Sequence, residues 1–295
     1  MSTDASINIL PLCESLTSAW PENNFLNSVV QLKSTGYDWL MNTHIQTYGS
    51  VYVNSSLNMN EIRVTFYPFG SLRANIYDFC PFIRKYITKK DIILEKFKYL
   101  SEFIIYVINK GLYACTMVHQ FFRQDMQHNH PCYFYGYDLN NRIVYTIDNF
   151  ENGKYKTKQI TFDDINRAFK MYNYTHWDAS VFLYELLDYT YMDNVEFMID
   201  QVNDYLSSGS GMCYLTRFYC PSLKYTTEYD SGEVCFGLNC YNLLEMLINR
   251  ALSNENEIID IRSFAFLCDH KYLMQLRYKY LLGKGLISDD RYTGL

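Results

Sequence analysis

His130 and Asp148 are the residues whose types and spacing most readily support chemistry in this chain. An imidazole titrates near neutrality, and a carboxylate beside it can accept its Nδ1–H and aim Nε2 at a reacting group. Between the two, Cys132-Tyr133-Phe134-Tyr135 favours a strand, Leu139-Asn140-Asn141-Arg142 a turn, and Ile143-Val144-Tyr145-Thr146-Ile147 a returning strand. The pattern predicts a β-hairpin with a polar tip. If Cys132 pairs with Asp148, those side chains share a face and His130 lies one diagonal step away. A slip of one residue puts Asp148 opposite Tyr133 and breaks the arrangement, and sequence alone leaves both registers open. His119, in the strand expected beside the hairpin, and Tyr133 are candidates to line a cleft.

The surrounding elements must hold this hairpin. Ile7 to Leu12 reads as a short strand, and residues 13–24 as a loop. A helix is expected from Asn24, with Asn23 or Asn24 as N-cap and Gly36 as its stop, then a second helical piece over Tyr37–Tyr48 that carries a partly exposed His44. Ser50–Val53 and Ile62–Tyr67 read as strands. Asp91–Asn109 shows the clearest helical spacing, and Tyr113–Phe122 returns to strand. Tyr155–Ile160 is a third strand of the hairpin sheet, followed by a helix capped by Thr161. Residues 178–187 suit a buried strand or a short helix, with strand favoured. Beyond about 190 the character changes. Helices are expected over Asn194–Leu206, Asn239–Leu252 and Ile261–Leu282, separated by a Gly/Ser joint and an irregular Tyr-rich stretch over 212–232. The expected division is an α+β part, 1–190, and a helical part, 191–295.

A chain of 295 residues, 48% hydrophobic, can bury a large core. Its formal net charge of −6 and the lack of a basic stripe argue against a nucleic-acid surface. No apolar run is long enough to span a bilayer, so no membrane partner is expected. Nine scattered cysteines suggest reduced thiols in a cytoplasm. Cys213, Cys220, Cys235 and Cys240 lack the two close pairs of a zinc knuckle, so no bound metal or cofactor is expected. His270, among Asp and Arg neighbours, reads as part of a salt-bridged helix or, alternatively, as a binder of a substrate acid.

The hairpin resembles that of papain-like cysteine enzymes, in which a histidine opens a strand, a Gly-Tyr pair follows (here Gly136-Tyr137), and the orienting Asn or Asp ends the next strand. The segments LPLCESLTSAWPENNFLNSVVQL, GYDWLMNTHIQTYG, HPCYFYGYDLNNRIVYTIDNF, FGLNCYNLL and IRSFAFLCDHKYLMQLRYKYL, in that order, resemble the family named for the N-terminal domain of butirosin biosynthesis protein H. The resemblance spans about residues 8–282. It implies a papain-like fold, an N-terminal helix packed on an antiparallel sheet, with a C-terminal helical extension. It also implies transfer of an acyl or peptidyl group from a carrier-protein thioester to an amine in bacterial peptide natural-product biosynthesis. The acyl donor would be linked through phosphopantetheine, and the partners would be a carrier protein or biosynthetic enzyme and an amine or peptide substrate.

On that resemblance His130 is the general base and Asp148 its orienter. The family's nucleophilic cysteine would stand at the start of the first helix, a position held here by Asn24. An amide forms no thioester, so Cys13 in the preceding loop is the alternative nucleophile, and Asn24→Cys would restore a reactive thiol. Three expectations stand: an acyltransferase with an altered nucleophile, a non-catalytic relative that binds a carrier protein or partner, and a thiol peptidase or amidase using Cys13.

Overall fold

Among the described residues the strands pair antiparallel, and the central ones carry side chains that are buried on both faces. The computed structural model describes residues 6–54, 59–66, 76–121, 129–150, 153–172, 180–209, 234–253 and 261–288. In chain order the elements there begin with β1 (Ile7–Ile9), α1 (Pro21–Val30), α2 (Gly36–Asn42), β2 (Thr47–Asn54) and β3 (Met59–Phe66). Next come β4 (Ile83–Lys89), α3 (Lys90–Lys96), α4 (Leu100–Ile108), β5 (Leu112–His119), β6 (Asn129–Asp138) and β7 (Ile143–Phe150). The remainder are β8 (Lys154–Thr161), α5 (Phe162–Met171), β9 (Ser180–Leu186), α6 (Val195–Ser207), β10 (Val234–Phe236), α7 (Cys240–Ser253) and α8 (Arg262–Gly283). The fold is α+β. No helix among the described residues is long and apolar enough to cross a membrane.

The chain forms two units, Met1–Ser34 with Cys80–Tyr189, and Thr35–Phe79 with Thr190–Leu295. The expected cut near 190 is therefore joined by two earlier ones, and residues 35–79 belong with the C-terminal part. That part is not purely helical. Its β2–β3 hairpin accepts β10 alongside β2 to make a three-stranded sheet. Ser263, in the first turn of α8, ties the helix to β3: its Oγ donates to Ile62 O (3.0 Å) and accepts from Val64 N–H (3.1 Å).

The first unit carries a seven-stranded sheet in the order β4-β9-β5-β6-β7-β8, with β1 paired to the far end of β6. One face packs against α3, α4 and α5 through Ala114, Val118, Cys132, Phe134, Val144, Ile160 and their helical partners. The other face meets α1, where Phe25 stacks on Tyr133 (centroids 4.4 Å apart) and meets Tyr113 edge-on (5.6 Å). β1 approaches β6 so closely that a Cβ on Gly136 would stand 2.8 Å from Asn8 O, which explains a glycine inside a strand.

Local chemistry sets several boundaries. α1 begins at Pro21, whose missing N–H costs nothing in a first turn, so Trp20 and not Asn23 or Asn24 occupies the cap position. The expected helix over 91–109 is two helices. Phe97 leaves helical geometry (φ −119°, ψ 129°), and the Glu102 carboxylate reaches back to Tyr99 N–H to start α4. The break lets the Phe97 ring fold onto Phe103 and Tyr106. Thr161 caps α5 as expected, and residues 180–186 form a strand. Lys90 is buried at the end of α5, where its ammonium donates to the carbonyls of Phe169 and Tyr172. Such a cation suits the negative end of a helix. The Tyr-rich stretch 212–232, with Cys213 and Cys220, lies outside the described residues.

In the second unit, buried side chains take up carbonyls at the end of α2 and just past it. Arg277 Nε donates to Met41 O (2.6 Å), Arg277 Nη2 to His44 O (3.2 Å) and Gln201 Nε2 to Asn42 O (2.7 Å). His44, expected to be partly exposed on a helix, is instead buried just past α2, and His270 is fully buried within α8. Both rings flank Phe66. Burial, with the nearby Arg277 charge adding to it, pushes the His44 pKa down to about 3. Burial likewise takes His270 to about 4, against a smaller opposing effect from its bond to Ile45 O. His270 is thus a neutral core residue and neither a salt-bridge member nor a substrate-acid binder.

Candidate functional site

The β6–β7 hairpin closes on a turn built by Asp138. Its carboxylate accepts from Asn141 N (3.1 Å), Asn141 Nδ2 (2.7 Å) and Asn140 N (2.8 Å), which holds the carboxyl below its ordinary range. Arg142 completes the turn with a φ of 52°. From there Tyr133 pairs with Ile147 and Phe134 with Thr146. That register sets Cys132 across from Asp148. A bulge at Tyr135 changes the register only on the turn side of Phe134, so the open end keeps the arrangement that brings His130 to the carboxylate.

His130 Nδ1 lies 2.8 Å from Asp148 Oδ2 and 3.0 Å from its neighbour's carbonyl, Pro131 O. Both are acceptors, so Nδ1 carries a proton and donates to them, and Nε2 is the nitrogen left to face a reacting group. The Asp148 side chain is fully buried, whereas that of His130 is 17% exposed. A buried carboxylate needs donors to stay charged. Asn149 N–H donates to Oδ1 (2.7 Å), and Gln120 Nε2 joins His130 on Oδ2 (3.1 Å). Gln120 is also fully buried. Sequence reading missed it. Its only signal is the parity it shares with Val118, and that matters only once Val118 is known to pair with His130.

Asn24 and Cys13 do not join this pair. Asn24 is fully buried in α1, where its Oδ1 accepts from Thr17 Oγ1 (2.8 Å) and its Nδ2 donates to Asn149 Oδ1 (3.0 Å). Asn149 follows Asp148 and by strand alternation points to the opposite face. Its Nδ2 fastens to Ser18 O (2.8 Å) and Gly153 O (3.0 Å). Asn24 therefore braces the residue next to the carboxylate from across the sheet. Cys13 N–H donates to Ser28 O (2.9 Å), and the nearby Pro11 O accepts from Tyr113 Oη (2.7 Å). Tyr113 precedes Val118, the partner of His130, by five residues, about 17 Å along β5. Cys13 sits at the wrong end of the sheet to reach the imidazole.

The other expected cleft residues fare differently. Tyr133 is 3% exposed under the Phe25 ring and is a core residue, not a cleft wall. His119 is partly exposed, pairs with Asn129 and stacks loosely on Phe121, with Nδ1 buried and unpartnered. It faces away from His130 by alternation. Cys132 shares the Asp148 face but lies fully buried in the helix-covered core. Cys115 is buried on the α1 face, and burial, with the Asp148 charge adding to it, pushes its thiol far up. The described residues contain no group of three or more His, Cys, Asp or Glu side chains able to hold a metal ion.

The arrangement can accept a proton at His130 Nε2, hold the resulting imidazolium against a buried carboxylate, and return the proton. The described residues place no reactive thiol at it. No protein-family model matches the chain, and no curated protein matches it.

Proposed function

We propose that this protein is a papain-like acyl or peptidyl transferase of bacterial peptide natural-product biosynthesis, working by direct aminolysis. The observation that carries the reading is the 2.8 Å contact between His130 Nδ1 and a fully buried Asp148. In this reading the acceptor amine attacks the thioester carbonyl of a phosphopantetheine-linked donor while His130 Nε2 takes the amine's proton. The carbon–sulfur bond then breaks, the imidazolium protonates the departing thiolate, and an amide remains. No acyl-enzyme is required, which agrees with an amide at Asn24 and with Cys13 at the far end of β5. A carrier protein or biosynthetic enzyme presents the donor, an amine or peptide accepts, and the free cysteines among the described residues suit a cytoplasmic setting.

The test is thiol release from acyl-pantetheine thioesters with added amines, followed by intact mass measurement of the protein. Release should depend on the amine and fall about 10²–10⁴-fold in His130→Ala, with no covalent acyl adduct. An adduct on any cysteine would overturn direct aminolysis and favour a thiol enzyme. A second reading, a non-catalytic carrier-binding relative, is favoured by the structural use of Asn24. No turnover by the wild type, together with carrier binding that His130→Ala leaves undiminished, would establish it.

A further inference from the structure

Asp148 has no solvent to orient it, so its direction depends on the donors around it. Oδ1 is held by the N–H of the adjoining residue, Asn149 (2.7 Å). That contact is local and leaves the carboxylate plane able to turn about the Cβ–Cγ bond. Oδ2 is the oxygen that receives His130, and the second donor on it is Gln120 Nε2 at 3.1 Å. Gln120 lies just beyond β5, on the neighbour of β6, so a third strand reaches the pair. It is fully buried and carries no charge of its own.

We infer that Gln120 is a positioning residue that fixes the carboxylate plane of Asp148 and, through it, the single tautomer and ring orientation of His130. Two fixed points define the plane where one would not. With the plane fixed, Oδ2 and Pro131 O converge on Nδ1, and Nε2 is held as the acceptor. The role extends the proposed transferase reading, yet its spectroscopic part does not depend on that reading.

The experiment uses the full-length protein with ¹⁵N-labelled histidine. In wild type, His130 should show one tautomer, protonated at Nδ1 and bare at Nε2. Gln120→Leu removes the donor, and Gln120→Met removes it with little change of length. Both should turn the single pattern into an averaged one. Thioester aminolysis in either variant should show kcat reduced about tenfold with KM unchanged, as expected for one buried hydrogen bond lost. An unchanged His130 pattern in the variants overturns the inference, whatever the activity does. If neither variant folds, the wild-type Gln120 side-chain amide decides: slow exchange supports the role and rapid exchange overturns it. An averaged His130 pattern in the variants together with no aminolysis by wild type would leave Gln120 standing and remove the transferase reading.

Discussion

Mild acid should destabilise the second unit well before its ordinary carboxylates titrate. The perturbation is a fall from pH 7.5 to pH 5, and the groups concerned are His44 and His270. Thr43 Oγ1 spends its proton on Trp39 O (2.8 Å) and so accepts from His44 Nδ1 (3.0 Å), which leaves His44 Nε2 bare. His270 Nε2–H donates to Ile45 O (2.9 Å), leaving Nδ1 bare. Both bare nitrogens are buried with no hydrogen-bond partner. Protonating either buries a cation near the Arg277 guanidinium, and Lys271 adds further repulsion at His270.

The folded pKa values, about 3 and about 4, lie below the reference of 6.5. A base depressed in the folded state is protonated first in the unfolded chain. The stability it confers is present above 6.5 and is lost as pH falls toward the folded value. At pH 5 each ring is about 1.5 units below its unfolded pKa, so each costs about 2 kcal/mol and the pair about 4 kcal/mol. Equilibrium urea unfolding, read together with hydrogen exchange in α8, should show the midpoint falling by about 2 M. The double variant His44→Gln/His270→Gln should lose most of that dependence. A wild-type midpoint that stays flat to pH 5, or a double variant that keeps the slope, would refute the reasoning.

Other expectations follow from the same contacts. Asp148→Asn should keep the fold but lower aminolysis about as far as loss of the imidazole does, since an amide no longer enforces Nδ1–H; matched rates for wild type and variant would count against the pair. Asn24→Cys breaks the bonds to Thr17 and Asn149 and creates a thiol with no exposure. It should label slowly with iodoacetamide and lose about 1–3 kcal/mol of stability, whereas rapid alkylation would return that position to the reacting site. Lys90→Met leaves the Phe169 and Tyr172 carbonyls without their cation and should cost about 1.5–3 kcal/mol by thermal or urea melts. Gly136→Ala drives a Cβ into β1 backbone and should loosen β1, seen as faster exchange at Leu10 N–H, which bonds Tyr135 O (2.7 Å).

Local chemistry made much of this protein legible in one dimension. The polar turn at 139–142 and the alternation on either side of it specify the hairpin. Thr161 and Asn194 announce their helices by the side-chain caps they go on to form. The same pattern allows two registers, and one of them brings His130 to Asp148. What chose between them was tertiary: the face bearing Cys132, Phe134 and Val144 is apolar and must lie under α4 and α5, and a slip would have turned it outward.

Long-range partners decided the rest. Asn24 could be placed near a helix start from sequence, but only packing shows it bracing Asn149 from the opposite face of the sheet. Gln120 has no motif, and its meaning comes from a third strand. The membership of residues 35–79 in the second unit rests on strand pairing with β10 and on bonds from α8. The burial of His44 and His270 depends on helices more than 150 residues away from the first of them. Short-range propensity fixes which segments become helix or strand, because a cap or a turn acts over a few residues. Which buried polar groups find one another is settled by packing, because no local pattern encodes the partner that removes a group's desolvation cost.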